Sequence, residues 1–110
     1  MRRLAILAAI TAIAFATPVL PEQTMTQTHP YVGMWITADG HVRQQLLPNG
    51  RYDEARGTRE SAYQGRYEVS GNHIDYWDDT GFTADGEFID DVLYHGGMIF
   101  YRDGKAPDSR

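Results

Sequence analysis

The chain has 110 residues, a formal net charge of −5 and no cysteine. That length bounds it to one domain, and the missing cysteines exclude a disulfide frame as the source of stability. An acidic balance of this size argues against nucleic acid and anionic membrane surfaces, which are held by Lys and Arg.

Residues 1–16 stand apart from the rest. Arg2 and Arg3 form a positive start, Leu4 to Ala16 is apolar except for Thr11, and Ala14-Phe15-Ala16 is a small-x-small cleavage site. This is the pattern of a secretory signal peptide. The apolar run is about 13 residues, short of the roughly 20 needed to span a bilayer. Cleavage and retention as an N-terminal anchor are both compatible with it, and cleavage leaves no stable membrane insertion. The expected compartment is periplasmic or secreted. Without Arg2 and Arg3 the formal charge falls by two, from −5 to −7. Residues 17–30, rich in Thr, Gln and Pro with no hydrophobic period, read as a flexible leader. His29-Pro30 sets an extended approach to the first strand.

From Tyr31 onward the chain is punctuated by Asp39-Gly40, Asn49-Gly50, Gly71-Asn72, Asp85-Gly86 and Gly96-Gly97, all hairpin-type turn dipeptides. Between them lie short segments rich in Tyr, Val, Ile, Phe and Trp, with no sustained helical period. The spacing predicts strands at Val32–Thr37, His41–Leu47, Arg51–Ala55, Ala62–Val69, His73–Trp77, Thr80–Thr83, Glu87–Tyr94 and Met98–Arg102. Such a meander is all-β and antiparallel, and eight strands can close into an up-and-down β-barrel over residues 31–102. Residues 103–110 read as a disordered tail. With about 80 folded residues the core is small, which leaves room for a homo-oligomer.

Alternation along the strands fixes facing. Gly50-Arg51-Tyr52 recurs as Gly65-Arg66-Tyr67, read as one local solution used twice, with tyrosine inside. If Tyr52 points inward, so do Glu54 and Arg56. If Tyr67 does, so do Tyr63 and Val69, with Gly65 leaving space. Ile74 and Tyr76 then join them, while His73, Asp75 and Trp77 face out.

Gly33-x-Trp35 on the first strand, with Arg102 ending the last, resembles the calycin signature of lipocalins, fatty-acid-binding proteins and avidins. The resemblance implies that Gly33, Trp35 and Arg102 close one end of the barrel, with the guanidinium over the indole. Longer blocks resemble an uncharacterised family of small bacterial proteins of the Agrobacterium hypothetical-protein type. They include His29 to Trp35, Leu47 to Gly57, Ala62 to Tyr67, Gly71 to Tyr76, Asp78 to Gly86 and Val92 to His95. That family implies a streptavidin-like, eight-stranded barrel with a possible ligand pocket. It implies no established activity and no catalytic residues.

The interior set Tyr52, Glu54, Arg56, Tyr63, Tyr67 and Tyr76 can be read in two ways. Tyrosines give an apolar wall with a hydroxyl at its edge, and Arg56 can clamp an anion. Alternatively Arg56 pairs with Glu54 and the tyrosines fill the core. The ligand-binding candidates are Tyr52, Arg56, Tyr63, Tyr67 and Tyr76, with an unknown small molecule as partner. The acidic segment Asp75, Asp78, Asp79, Asp85, Glu87, Asp90 and Asp91 does not follow the spacing of a calcium loop. It reads as solvated turns attracted to the arginines of the middle strands, and no metal ligand is assigned. His29, His41, His73 and His95 are not spaced as ligands, although His41 and His95 sit where a barrel mouth would be. The polar stretch Arg56 to Ser61 reads as a loop or lid. No cofactor and no catalytic residue is implied. The sequence reading is an exported small-ligand-binding barrel; the alternatives are an envelope protein-interaction module with a filled barrel, and an isomerase or cyclase using the pocket.

Overall fold

The computed structural model describes residues 29–107. The signal-peptide reading, nearly all of the leader and the last three residues of the tail lie outside this range.

Eight strands form the domain: β1 Gly33–Thr37, β2 Val42–Leu46, β3 Arg51–Arg56, β4 Arg59–Ser70, β5 His73–Asp78, β6 Thr83–Ile89, β7 Val92–His95 and β8 Met98–Arg102. Each pairs antiparallel with its neighbour in sequence, and β8 pairs back onto β1, so the sheet is a closed barrel. Closure removes every free edge, the feature that makes small sheets aggregate. The inward residues alternate as the pleat requires: Val42, Gln44 and Leu46 on β2, Tyr52 and Glu54 on β3, Ile74 and Tyr76 on β5. Trp35, Tyr67, Phe88, Leu93 and Phe100 complete the core. Gly65 faces inward opposite Tyr52. The space it leaves is already taken, because a Cβ there would lie 2.2 Å from the Trp77 carbonyl oxygen and 2.9 Å from the Tyr52 ring.

Four stretches differ from the sequence reading. The stretch Glu87–Tyr94 is two strands joined by a tight turn at Asp90-Asp91, whose φ values are both positive at 53° and 64°. Short acidic side chains tolerate this region, and Arg102 grips Asp91 through Nε at 2.6 Å and Nη2 at 2.9 Å. That grip holds the Asp91 carboxyl below the usual carboxylate range. Asp85-Gly86 is no turn but the middle of β6, where Gly86 admits the Tyr94 carbonyl within 2.7 Å of a would-be Cβ. Thr80 belongs to the turn before β6, where Asp78 Oδ1 accepts from the Thr80 amide and hydroxyl. The stretch Arg56 to Ser61 is likewise mostly strand. Arg56 pairs with Arg59 across a tight hairpin, and an irregularity between Glu54 and Arg56 is matched by positive φ at Ser61.

One end of the barrel is sealed. The Arg102 guanidinium lies 4.6 Å over the Trp35 ring, and the two residues are cross-strand partners. Trp35 Nε1 donates to the Tyr31 carbonyl at 2.9 Å, Arg102 Nη2 to the Pro30 carbonyl at 2.7 Å. Tyr31 stacks flat on Phe88 at 3.7 Å. Gly33 permits this path because its φ is +135°.

His29 latches the same end. The Tyr31 amide donates to His29 Nδ1 at 3.0 Å, so Nε2 carries the proton and donates to the Tyr67 hydroxyl at 2.9 Å. That hydroxyl donates in turn to the Leu47 carbonyl at 2.7 Å. Only the neutral ring satisfies both contacts, and burial holds the His29 pKa below its ordinary 6.5. As pH falls, the unfolded chain therefore takes up this proton first. The stabilisation is complete above about pH 6.5 and is lost as pH drops through the folded value. The melting-temperature advantage of the native chain over His29→Gln should shrink between pH 7.5 and 5. An advantage independent of pH would refute the latch.

Candidate functional site

The other end of the barrel is open. It is built from the ends of β3, β5 and β7 and the starts of β4, β6 and β8, and it holds a cleft of about 490 Å³. Tyr52, Tyr76, Phe82 and His95 line it, together with Arg56 and Tyr63. Tyr52 meets Tyr76 edge-on at 5.1 Å, and His95 packs on Tyr76 at 4.3 Å.

Beneath the aromatic wall lies a polar network. Glu54 Oε1 accepts from Gln44 Nε2 at 2.8 Å, and Glu54 Oε2 accepts from Arg56 Nε at 2.8 Å. The Tyr76 hydroxyl donates to Gln44 Oε1 at 2.7 Å. Gln44 and Glu54 are buried, as such groups can be only when their bonds are made. The Glu54 side chain is 3% exposed and that of Arg56 38%. The carboxylate thus anchors the guanidinium through Nε. Both Arg56 Nη nitrogens have no protein partner among the described residues. The Arg56 fork also lies 4.8 Å over the Tyr63 ring, so its plane is fixed from two sides.

Of the five sequence candidates, the structure brings Tyr52, Arg56, Tyr63 and Tyr76 into this cleft. Tyr67 lies at the sealed end with His29 and Leu47. Glu54, one of the interior set, is the group that positions Arg56. His95, Phe82, Asp78 and Met98 also reach the cleft. The sequence signals His95 by its place at a strand end, and Phe82 only by its place beside a turn.

Burial, reinforced by nearby acids, pushes the Tyr52 hydroxyl up to about 12. Burial pushes Tyr76 well above the ordinary tyrosine value. Both are therefore hydroxyl donors at neutral pH and not bases. His95 Nδ1 meets the Asp85 carbonyl at 3.1 Å. In the neutral ring this contact keeps the proton on Nδ1 and makes Nε2 an acceptor.

The acidic segment behaves in part as the sequence suggested. Asp79 takes Arg51 of the middle strands in a two-point pair at 2.9 and 2.6 Å, whereas Asp91 takes Arg102 on the last strand. A group invisible in sequence spacing forms on the outer wall: His73, Asp75 and Asp85, with ligand atoms within 4.8 Å of one another. His73 Nε2 lies 3.1 Å from Asp75 and 3.6 Å from Asp85. The three come together because Asp75 and Asp85 are cross-strand partners.

The domain is thus a small, closed, eight-stranded antiparallel barrel, with Arg102 laid over Trp35 at one end and an aromatic cleft at the other. The family model described as Agrobacterium tumefaciens protein Atu4866 matches residues 28–102. The chain belongs to that family. It is also similar to the solution structure of the protein Atu4866 from Agrobacterium tumefaciens, at 73% identity and a TM-score of 0.62, over 70% of this chain and 99% of that one. No curated protein matches it.

Proposed function

We propose that this barrel binds a small organic molecule in the cleft at its open end. The observation that carries the reading is the Arg56 guanidinium, anchored through Nε by the buried Glu54 carboxylate, with both Nη groups unclaimed among the described residues. A fixed, half-desolvated fork facing an aromatic cleft has the composition of a ligand site: mostly apolar walls with a few convergent polar groups. The cleft volume of about 490 Å³ lies within the usual range for such sites, roughly 300–1,000 Å³. With a signal-peptide-like start to the chain, the binding is proposed to take place outside the cytoplasm.

A second reading is a protein-interaction module. It is favoured by Tyr94 and Ile99, cross-strand partners on the outer wall that are each 42% exposed. An isomerase or cyclase reading draws nothing from the cleft tyrosines, whose hydroxyls are pushed away from neutrality.

Native mass spectrometry on protein purified gently from its own host separates these readings. Ligand binding predicts a stoichiometric extra mass that Arg56→Ala loses. A clean apo mass, unchanged after incubation with host extract, would overturn it. A clean dimer mass in its place would support the interaction module.

A further inference from the structure

Resting on the ligand-binding reading, we propose that the open-end cleft takes an aromatic carboxylate, its carboxylate on the Arg56 fork and its ring among Tyr63, Tyr76 and Phe82. The charge follows from which polar groups at the cleft are already spent. Glu54 uses Oε1 on Gln44 and Oε2 on Arg56. Asp78 turns Oδ1 to the amide and hydroxyl of Thr80. Both Glu54 oxygens and Asp78 Oδ1 are thus committed inside the protein, whereas the two Arg56 Nη nitrogens and Asp78 Oδ2 have no protein partner among the described residues. Arg56 is the arginine at the cleft, and its fork calls for an acceptor.

The shape follows from the guanidinium. Held at Nε and laid on Tyr63, it offers a planar pair of donors that matches a carboxylate in two-point fashion. A phosphate, with its higher charge, draws on several cations; here one arginine stands among two carboxylates.

The ring follows from the walls. Tyr52, Tyr63, Tyr76, Phe82 and His95 all border the cleft. Phe82 is 76% exposed, the most exposed large hydrophobic residue among those described, and Tyr63 is 43% exposed. These two aromatic side chains, open at the mouth of the cleft, offer faces that a ligand ring can cover. Aromatic faces favour offset or edge-on contact with a second ring over a flexible chain.

Isothermal titration of the purified protein at pH 7 with three probes tests this. They are 2-naphthoate, its neutral analogue 2-naphthamide, and octanoate, an anion without a ring. 2-Naphthoate is expected to bind about tenfold more tightly than either of the others. Arg56→Lys keeps the charge beside Glu54 but loses the fork, and should weaken 2-naphthoate about tenfold while leaving 2-naphthamide unchanged. Arg51→Lys, outside the cleft, should change neither. Equal affinity for naphthoate and naphthamide, or for naphthoate and octanoate, would overturn the ligand class while leaving binding in the cleft intact. Unaltered naphthoate affinity in Arg56→Lys would overturn the placement on Arg56. No heat from any probe at millimolar concentration would count against the binding reading itself.

Discussion

Trp35→Ala is expected to destabilise the barrel by about 3–5 kcal/mol, the range for removing a large buried aromatic side chain. Three separate contacts are lost with the indole: the Tyr31 carbonyl loses its donor, Arg102 loses the ring beneath it, and Phe88 loses a neighbour at 5.1 Å. The cavity cannot collapse easily, because Tyr31 is held flat against Phe88 and Pro30 is held by Arg102. For a domain of this size each kcal/mol moves the melting temperature by about 4–8 °C. A loss of at least about 12 °C is therefore expected in thermal unfolding followed by near-ultraviolet circular dichroism. Arg102→Met should cost less, about 1–3 kcal/mol: the cation–π contact is worth about 0.5–2 kcal/mol, and the exposed pair to Asp91 and the bond to the Pro30 carbonyl are lost with it. A drop of under about 4 °C in Trp35→Ala would show that the sealed end does not organise the fold.

Arg56→Met is the second large effect, and it concerns the site. It leaves the Glu54 carboxylate buried with only Gln44 as partner. Removing one member of a buried pair costs about 3–5 kcal/mol. Because Arg56 is 38% exposed, water can reach the vacated side, and about 2–3 kcal/mol is expected. Converting Glu54→Gln in the same chain removes the stranded charge while keeping an acceptor for Gln44. The double variant should recover to within about 1 kcal/mol of the native protein. Urea unfolding of the native protein and three variants closes the cycle. Additive losses in the double variant would mean that Glu54 and Arg56 do not act as a unit.

These two ends of the barrel were not equally legible in the sequence. The sealed end was legible through the resemblance of Gly33-x-Trp35 and Arg102 to the calycin signature, and Trp35 and Arg102, far apart in the chain, are cross-strand partners once the meander closes. The open end was legible in facing but not in height. Alternation places Tyr52, Tyr63, Tyr67 and Tyr76 inside, yet it does not say how far along the barrel axis each one sits. That depends on the tilt and stagger of the strands. Tyr67 therefore joined the site in the sequence reading, while the structure puts it beside His29 at the opposite end.

The turns show a related limit. Asp85-Gly86 has the residues of a hairpin turn, but Gly86 is used for close approach to Tyr94 inside β6. Asp90-Asp91 has no glycine and nevertheless makes the turn, its positive φ values held in place with help from Arg102. The compensation comes from another strand, so no local pattern contains it. The same holds for His73, Asp75 and Asp85, which meet only through the β5–β6 register.

Intermolecular nuclear Overhauser effects between bound 2-naphthoate and isotope-labelled protein would show whether the open end, and Arg56 in particular, receives a ligand. Contacts are expected from the naphthalene protons to the rings of Tyr63, Tyr76 and Phe82, with the carboxylate end nearest the Arg56 side chain. Contacts confined to Tyr94 and Ile99 on the outer wall, or to Tyr31 and Tyr67 at the sealed end, would contradict that placement.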